Sequence, residues 1–256
     1  MGATDIGVAR DNNEDNFLID ADLGLLAVAD GMGGHDGGEI ASAEAIVLLQ
    51  RFLHRSLREA RADTPPSSDH ASAQPDDAAA PALDTLRHAL AYANAGLYQA
   101  NLDARRADGA GMGTTLTGLW QAAPAAPVLM FHVGDSRLYR RRGGALTQLT
   151  RDQTLYQQAL DLDAPPPLPP RNVLLQALGP AALVEPELQV LTVAPGDVYL
   201  LCSDGMHGDS QAQDIGAIMA LARPDNLQRC CHHLIELAKR DGSRDNITVL
   251  LLTCPH

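Results

Sequence analysis

Three aspartates stand beside turn formers at widely separated points of this chain. They are Asp30 in Ala29-Asp30-Gly31-Met32-Gly33-Gly34-His35, Asp204 in Ser203-Asp204-Gly205, and Asp245 in Arg244-Asp245-Asn246. Each lies at the end of, or just before, an apolar run that reads as a buried strand. Carboxylates held at strand ends, with only oxygen donors around them, are what Mg²⁺ or Mn²⁺ takes as ligands. A fourth stretch, Arg10-Asp11-Asn12-Asn13-Glu14-Asp15, sets a guanidinium beside further carboxylates, and arginine can grip a phosphate monoester through two parallel hydrogen bonds. Taken singly, Asp-Gly and Asp-Asn are ordinary turn pairs, and Arg10 could do no more than pair with Asp11 or Glu14 at the surface. Taken together, these residues point to metal-dependent phosphoryl transfer or hydrolysis. A pair of divalent ions relieves the repulsion of clustered carboxylates, acidifies water and, with the ions ~4 Å apart, polarises a phosphate.

The elements that must position these residues follow from periodicity. Short strands are predicted over 5–9, 16–19 and 23–29, and then a helical stripe over 36–60. Residues 61–81, rich in Pro, Ser, Asp and Ala, read as a flexible surface insertion between two helices, the second over 82–107. Strands over 114–120, 127–133 and 137–140 suggest an antiparallel meander, with Arg142-Gly143-Gly144 as a hairpin turn. Residues 150–171, with a proline-rich run at 165–170, are the least regular part after the insertion. A strand over 197–202, helices over 211–222 and 225–240, and a buried strand over 246–252 complete the chain. This order predicts an α+β layered sandwich, with antiparallel sheets at the centre and helices outside. The motifs on the two sides of the insertion need each other, so residues 1–256 are expected to form one domain.

The composition supports this and excludes other classes. With 256 residues and 45% hydrophobic content the chain can bury a large core, which at 4% aromatic must be mainly aliphatic. A net charge of −13 argues against nucleic acid or an anionic membrane as partner. The four cysteines, Cys202, Cys230, Cys231 and Cys254, form no C-x-x-C pair, so reduced thiols are expected rather than zinc or disulfides. Met1-Gly2-Ala3-Thr4-Asp5 has no signal-peptide character, and no run reaches the ~18 apolar residues of a membrane span. A cytoplasmic protein is expected. Oligomerisation is not demanded by any heptad or long apolar stripe.

Six stretches in order carry a resemblance: Arg10-x-x-Asn13-Glu14-Asp15, Asp30-Gly31-Met32-Gly33-Gly34-His35, Gly113-Thr114-Thr115, Val133-Gly134-Asp135-Ser136-Arg137, Leu201-Cys202-Ser203-Asp204-Gly205 and Arg244-Asp245-Asn246-Ile247-Thr248. From about Asp5 to Thr253 the chain resembles a metal-dependent protein phosphatase of the PPM family (protein phosphatase 2C type) in its compact bacterial form. The resemblance implies a four-layer α-β-β-α sandwich, two central antiparallel sheets and a binuclear metal site at one end. It also implies hydrolysis of phosphoserine and phosphothreonine by in-line attack of a hydroxide bridging two Mn²⁺ or Mg²⁺ ions. Asp30 would bridge the ions; the Gly31 carbonyl would hold one, with Glu14 acting through water; Asp204 and Asp245 would hold the other. Asp135 would join Asp204 at a weaker third site. Asp15 would orient a water and Arg10 would grip the phosphate. Arg137 and Asn246 would be structural, and the Gly113-Thr114-Thr115 turn would pack near the site. The partners implied are phosphorylated proteins and an opposing bacterial Ser/Thr kinase.

Three departures from the family pattern stand out. Met32 occupies the place where eukaryotic members carry a histidine, and His35 is a candidate substitute. Residues 151–171 correspond to the family's mobile flap but are proline-rich, with Asp161 or Asp163 as weak candidates for a metal ligand there. His207 is near Asp204 in sequence only and is expected not to be a ligand. The rival reading, a non-catalytic phosphoprotein binder, is disfavoured because every main metal position is acidic.

Overall fold

The computed structural model describes residues 1–33, 37–63, 75–106 and 111–254. Its elements are β1 (Gly2–Asp5), β2 (Asp15–Asp20), β3 (Leu25–Met32), α1 (Gly37–Asp63), α2 (Pro75–Asp103), β4 (Gly113–Thr114), β5 (Leu116–Trp120), β6 (Val128–Val133) and β7 (Arg137–Arg142). They continue as β8 (Ala145–Gln148), α3 (Leu155–Asp161), β9 (Glu187–Leu191), β10 (Val198–Cys202), α4 (Asp204–His207), α5 (Ala212–Leu221), α6 (Leu227–Asp241) and β11 (Ile247–Thr253). One sheet runs β1-β11-β10-β7-β8; the other runs β2-β3-β5-β6-β9, with β4 on β3. All these pairs are antiparallel.

Side-chain alternation builds the layers. In β3, Leu25, Ala27 and Ala29 pack with the apolar residues of α1 and α2, while Val28 packs with Leu201 and Leu250 of the other sheet. In β10 and β11, Leu200, Cys202, Val249 and Leu251 pack with α5 and α6. Strands covered on both faces read as continuous apolar runs rather than as polar–apolar alternation. The result is the α-β-β-α sandwich with two central antiparallel sheets. Among the described residues no helix is long and apolar enough to cross a membrane. Cys202, Cys230 and Cys231 are buried free thiols, and Cys254 is partly buried and also free.

Several expectations need correction. The strand expected at 5–9 is β1, ending at Asp5; the Asp5 carboxylate accepts from the Gly7 amide at 2.8 Å and Gly7 has φ +78°, so the chain turns there. The flexible insertion at 61–81 is shorter, because α1 runs to Asp63 and α2 begins at Pro75; residues 64–74 lie outside the described residues. Pro81 was expected to lie before the second helix but lies inside α2, whose alanine-rich surroundings carry the helix through it. The three-strand meander does not form: β7 leaves the β5-β6 sheet and pairs with β10 and β8 in the other one. Gly134, at φ +104°, makes that crossing between β6 and β7. The hairpin turn forms as expected, with Arg142 opposite Ala145 and positive φ at Gly143 and Gly144. The irregular stretch at 150–171 contains α3, capped by the Thr154 hydroxyl, which accepts from the Gln157 amide at 3.1 Å. Strands β8 and β9 and the short α4 were not among the expected elements, although Glu187-Leu188-Gln189-Val190 in β9 alternates polar and apolar residues.

Antiparallel pairing places the start of β2, the end of β3, the end of β10 and the start of β11 at one end of the sandwich. Asp15 is the register partner of Asp30, and Cys202 that of Val249. The turn residues that follow or precede those strands therefore converge.

Candidate metal centre

Asp30 sits where β3 changes partner. Residues 25–28 pair with β5 and residues 31–32 with β4. Between them the Asp30 amide donates to Thr115 Oγ1 at 2.9 Å, and the Asp30 carbonyl accepts from the Thr115 amide and from Thr114 Oγ1, each at 2.9 Å. These bonds fix the backbone from which the Asp30 carboxylate projects. Asp15 lies beneath, fully buried, and accepts from Ser203 Oγ at 2.7 Å; Ser203 Oγ in turn accepts from the Thr248 amide at 3.0 Å. One serine thus ties β2 to the ends of β10 and β11.

Asp204 opens α4. A Cβ at Gly205 would stand 2.0 Å from the Asn246 carbonyl oxygen, so only glycine lets α4 abut the turn that carries Asp245. Asn246 stitches that turn to the 6–14 loop: its Oδ1 accepts from the Glu14 amide at 2.9 Å, and its Nδ2 donates to the Ile6 and Asn12 carbonyls at 3.0 and 2.9 Å. The Glu14 carboxylate lies against the N-terminal turn of α1 and accepts from the Gly38 amide.

Arg10, Glu14, Asp30, Gly31, Asp135, Asp204 and Asp245 line one open cleft of about 300 Å³, together with Met32, Gly33, Thr115, Asn172 and Leu174. Arg10 donates to Asp245 Oδ2 at 2.6 Å, so its hydrogen bond goes to neither Asp11 nor Glu14, although the Glu14 charge still acts on it. Burial raises the pKa values of Asp15, Asp30, Asp135 and Asp204 above the usual carboxylate range, and their mutual repulsion raises them further. Burial also raises Glu14. A hydrogen bond with Asp30 moderates the rise at Asp204.

The donor set suits a hard divalent cation. The available ligand atoms are carboxylate and carbonyl oxygens, and Asp204 Oδ1 is buried without a hydrogen-bond partner. Among the described residues, no three acidic, histidine or cysteine side chains close around one point tightly enough to enclose an ion. The carboxylates line the cleft walls instead, which leaves room for the waters that Mg²⁺ and Mn²⁺ retain.

Other candidates fall elsewhere. His35 lies outside the described residues. Asp161 pairs with Arg151 and accepts from Gln157, so it is not in the cleft. Asp163 does not line the cleft either. Arg137 is held by Asp152 in a bidentate pair at 2.8 and 2.6 Å and donates to the Tyr139 hydroxyl. His207 was expected to be near the site in sequence only; it is in fact buried against it, its Nε2 donating to the Asp135 carbonyl at 3.0 Å. Reasoning from the sequence missed Ser203, Asn172 and Leu174, whereas the Gly113-Thr114-Thr115 turn, expected to pack near the site, does place Thr115 on the cleft wall. Ser203 stood inside a quoted motif, but its link to Asp15 spans 188 positions of chain.

The sequence pattern of the family described as Protein phosphatase 2C matches residues 8–250. The chain is similar to the serine/threonine protein phosphatase PstP of Mycobacterium tuberculosis, 36% identical over 97% of this chain, and it spans only 43% of that protein's length. It is also similar to the protein phosphatase PhpP of Streptococcus pneumoniae, 30% identical over 98% of this chain and 95% of that one. A crystal structure of the catalytic domain of PstP in complex with two manganese ions superposes with a TM-score of 0.76, covering 98% of this chain and 95% of that one at 33% identity.

Proposed function

The chain belongs to the protein phosphatase 2C family, and we propose that it is a metal-dependent phosphatase that hydrolyses phosphoserine and phosphothreonine in proteins. The observation that carries this reading is the crowding of Asp15, Asp30, Asp135 and Asp204 at one end of the sandwich beside a cleft with Arg10 at its mouth. Such a cluster disfavours the folded state unless a cation neutralises it.

Two Mn²⁺ or Mg²⁺ ions, when bound, would acidify water and draw electron density from the phosphate. Asp30 would serve both ions, the Gly31 carbonyl and Glu14 one, Asp204 and Asp245 the other, and Asp135 a third, weaker one with Asp204. The residues of the chain then divide the remaining work. Arg10 exchanges Asp245 for the phosphate oxygens and fixes the phosphorus for in-line attack. Asp15, held by Ser203 and by the Thr248 side chain, would orient a water from beneath Asp30. Thr115 holds Asp30 in place through the backbone. The family reading further proposes a cytoplasmic monomer that opposes a Ser/Thr kinase.

The test is phosphate release from a phosphothreonine peptide, with Mn²⁺ titrated and EDTA as control. Release that requires Mn²⁺ and stops with EDTA supports the reading. Metal binding without release from any phosphopeptide would overturn it in favour of a phosphoprotein binder.

A further inference from the structure

A line of fully buried polar side chains runs behind the cleft. His132 lies on β6 with both ring nitrogens engaged: Nε2 is 3.1 Å from the Arg151 carbonyl, and Nδ1 is 2.8 Å from Thr117 Oγ1. A carbonyl can only accept, so the proton is on Nε2, and Nδ1 must accept from the Thr117 hydroxyl. The same proton also reaches the Ser136 carbonyl at 3.3 Å, a longer second arm of a shared hydrogen bond. Ser136 Oγ is 2.8 Å from Thr115 Oγ1, which accepts the Asp30 amide at 2.9 Å. The side chains of Thr115, Thr117, His132 and Ser136 are all buried, so each bond is made in a dry interior, where an unmade one is costly.

The two ends of this line have different neighbours. At one end is the backbone of Asp30, and Ser136 adjoins Asp135. At the other, Arg151 begins the flap. The residues after it are clamped to the same turn: Gln153 and Gly134 exchange two hydrogen bonds at 2.8 and 2.9 Å, and Asp152 pairs with Arg137. Gln153 also accepts from the Leu175 amide at 2.7 Å, beside the Asn172 and Leu174 that line the cleft.

We infer that His132 is a positioning residue, which together with Thr117 couples the flap at Arg151 to the Asp30 backbone, so that the cleft's acidic floor and its flap wall are set as one unit. The inference rests on the phosphatase reading of the cleft. If the Thr117 hydroxyl is lost, both of its contacts go with it and the two ends are uncoupled.

The test compares Thr117→Val, which keeps the volume and removes the hydroxyl, with Thr117→Ser, which keeps the hydroxyl. Calorimetry reads Mn²⁺ affinity, hydrogen exchange reads residues 150–175, and kinetics compare a phosphothreonine peptide with p-nitrophenyl phosphate, which is too small to span the flap. Thr117→Val should weaken Mn²⁺ binding about tenfold, speed exchange in the flap, and raise KM for the peptide more than for p-nitrophenyl phosphate. Thr117→Ser should restore all three. A Thr117→Val protein with lowered Tm but wild-type Mn²⁺ affinity, flap exchange and KM ratio would overturn the inference and leave these hydroxyls as packing alone. If Thr117→Val fails to fold, His132→Gln carries the same comparison, since it keeps a donor for Arg151. Failure of the phosphatase reading is distinguishable: the wild type would release no phosphate, while Mn²⁺ affinity and flap exchange would still decide the coupling.

Discussion

The Arg10 guanidinium and the Asp245 carboxylate, 235 positions apart in sequence, meet at 2.6 Å across the mouth of the cleft. Their side chains are 47% and 35% exposed, so solvent screens the pair and its contribution to stability is at most about 1 kcal/mol. An ion pair this weak can open in exchange for a phosphate. Arg10→Ala should therefore leave Tm within about 2 °C of the wild type and raise KM for a phosphothreonine peptide about tenfold or more. Arg10→Lys, which keeps the charge but not the fork, should fall between. Steady-state kinetics and calorimetric melting check both halves; a collapse in Tm would show Arg10 to be structural.

Asp30→Asn and Asp204→Asn each remove a negative charge from a cluster whose members raise one another's pKa. In the presence of EDTA each variant should melt at or a few °C above the wild type, because repulsion falls. Both should lose turnover. Wild-type protein at Mn²⁺ about 100-fold above Kd should gain about 2.7 kcal/mol, roughly 5–10 °C, and the variants should gain little. Melting curves with and without Mn²⁺ decide this; equal Mn²⁺ stabilisation of wild type and variants would remove these residues from the ligand set.

Gly7 has no contact with the acidic groups through a side chain, yet it controls one of them. Its φ is +78°, and a Cβ there would lie 2.1 Å from the Asp245 carbonyl oxygen. Gly7→Ala must strain its own backbone and push the Asp245 turn aside. The expected outcome is at least about tenfold weaker Mn²⁺ binding, read by calorimetry, although no ligand atom has been changed.

His132 gives a pH signature. Burial lowers its pKa from 6.5 to about 4, so it stays neutral in the folded protein. Between those values the unfolded chain binds a proton that the folded one does not. Stability is therefore lost as pH falls from 6.5 towards about 4, with a slope of at most about 1.4 kcal/mol per pH unit. The difference between wild-type and His132→Gln stability curves should change through this window and be flat above it. Asp197 acts lower and separately: its hydrogen bonds with Arg142 hold its pKa at about 2, so its contribution disappears only as pH falls from 3.8 towards 2. Urea titrations at a series of pH values separate the two.

The acidic residues of the cleft were legible in the sequence because a carboxylate beside a turn former at the end of an apolar run leaves a local mark. Asp30, Asp204 and Asp245 each announce themselves within a few residues. The sandwich was legible for a similar reason: doubly covered strands such as β10 and β11 are unbroken apolar runs, and helices such as α6 carry a stripe. Some local signals misled. Pro81 looked like a boundary and lies within a helix, and the third strand of the supposed meander crosses to the other sheet at Gly134.

Other features belong to tertiary structure alone. Asp15 and Asp30 face each other because of β2-β3 register; Ser203 reaches Asp15 because two sheets pack; Arg10 finds Asp245 rather than its neighbours Asp11 and Glu14. The chain by itself determined which groups could do the chemistry and which elements would carry them, since residue type and periodicity are local properties. Which atoms meet, which carboxylates repel, and which hydroxyls lie between the Arg151 carbonyl and the Asp30 amide were decided only by the packing of segments far apart in sequence. Distances and burial, unlike residue types, come into being when those segments close on one another.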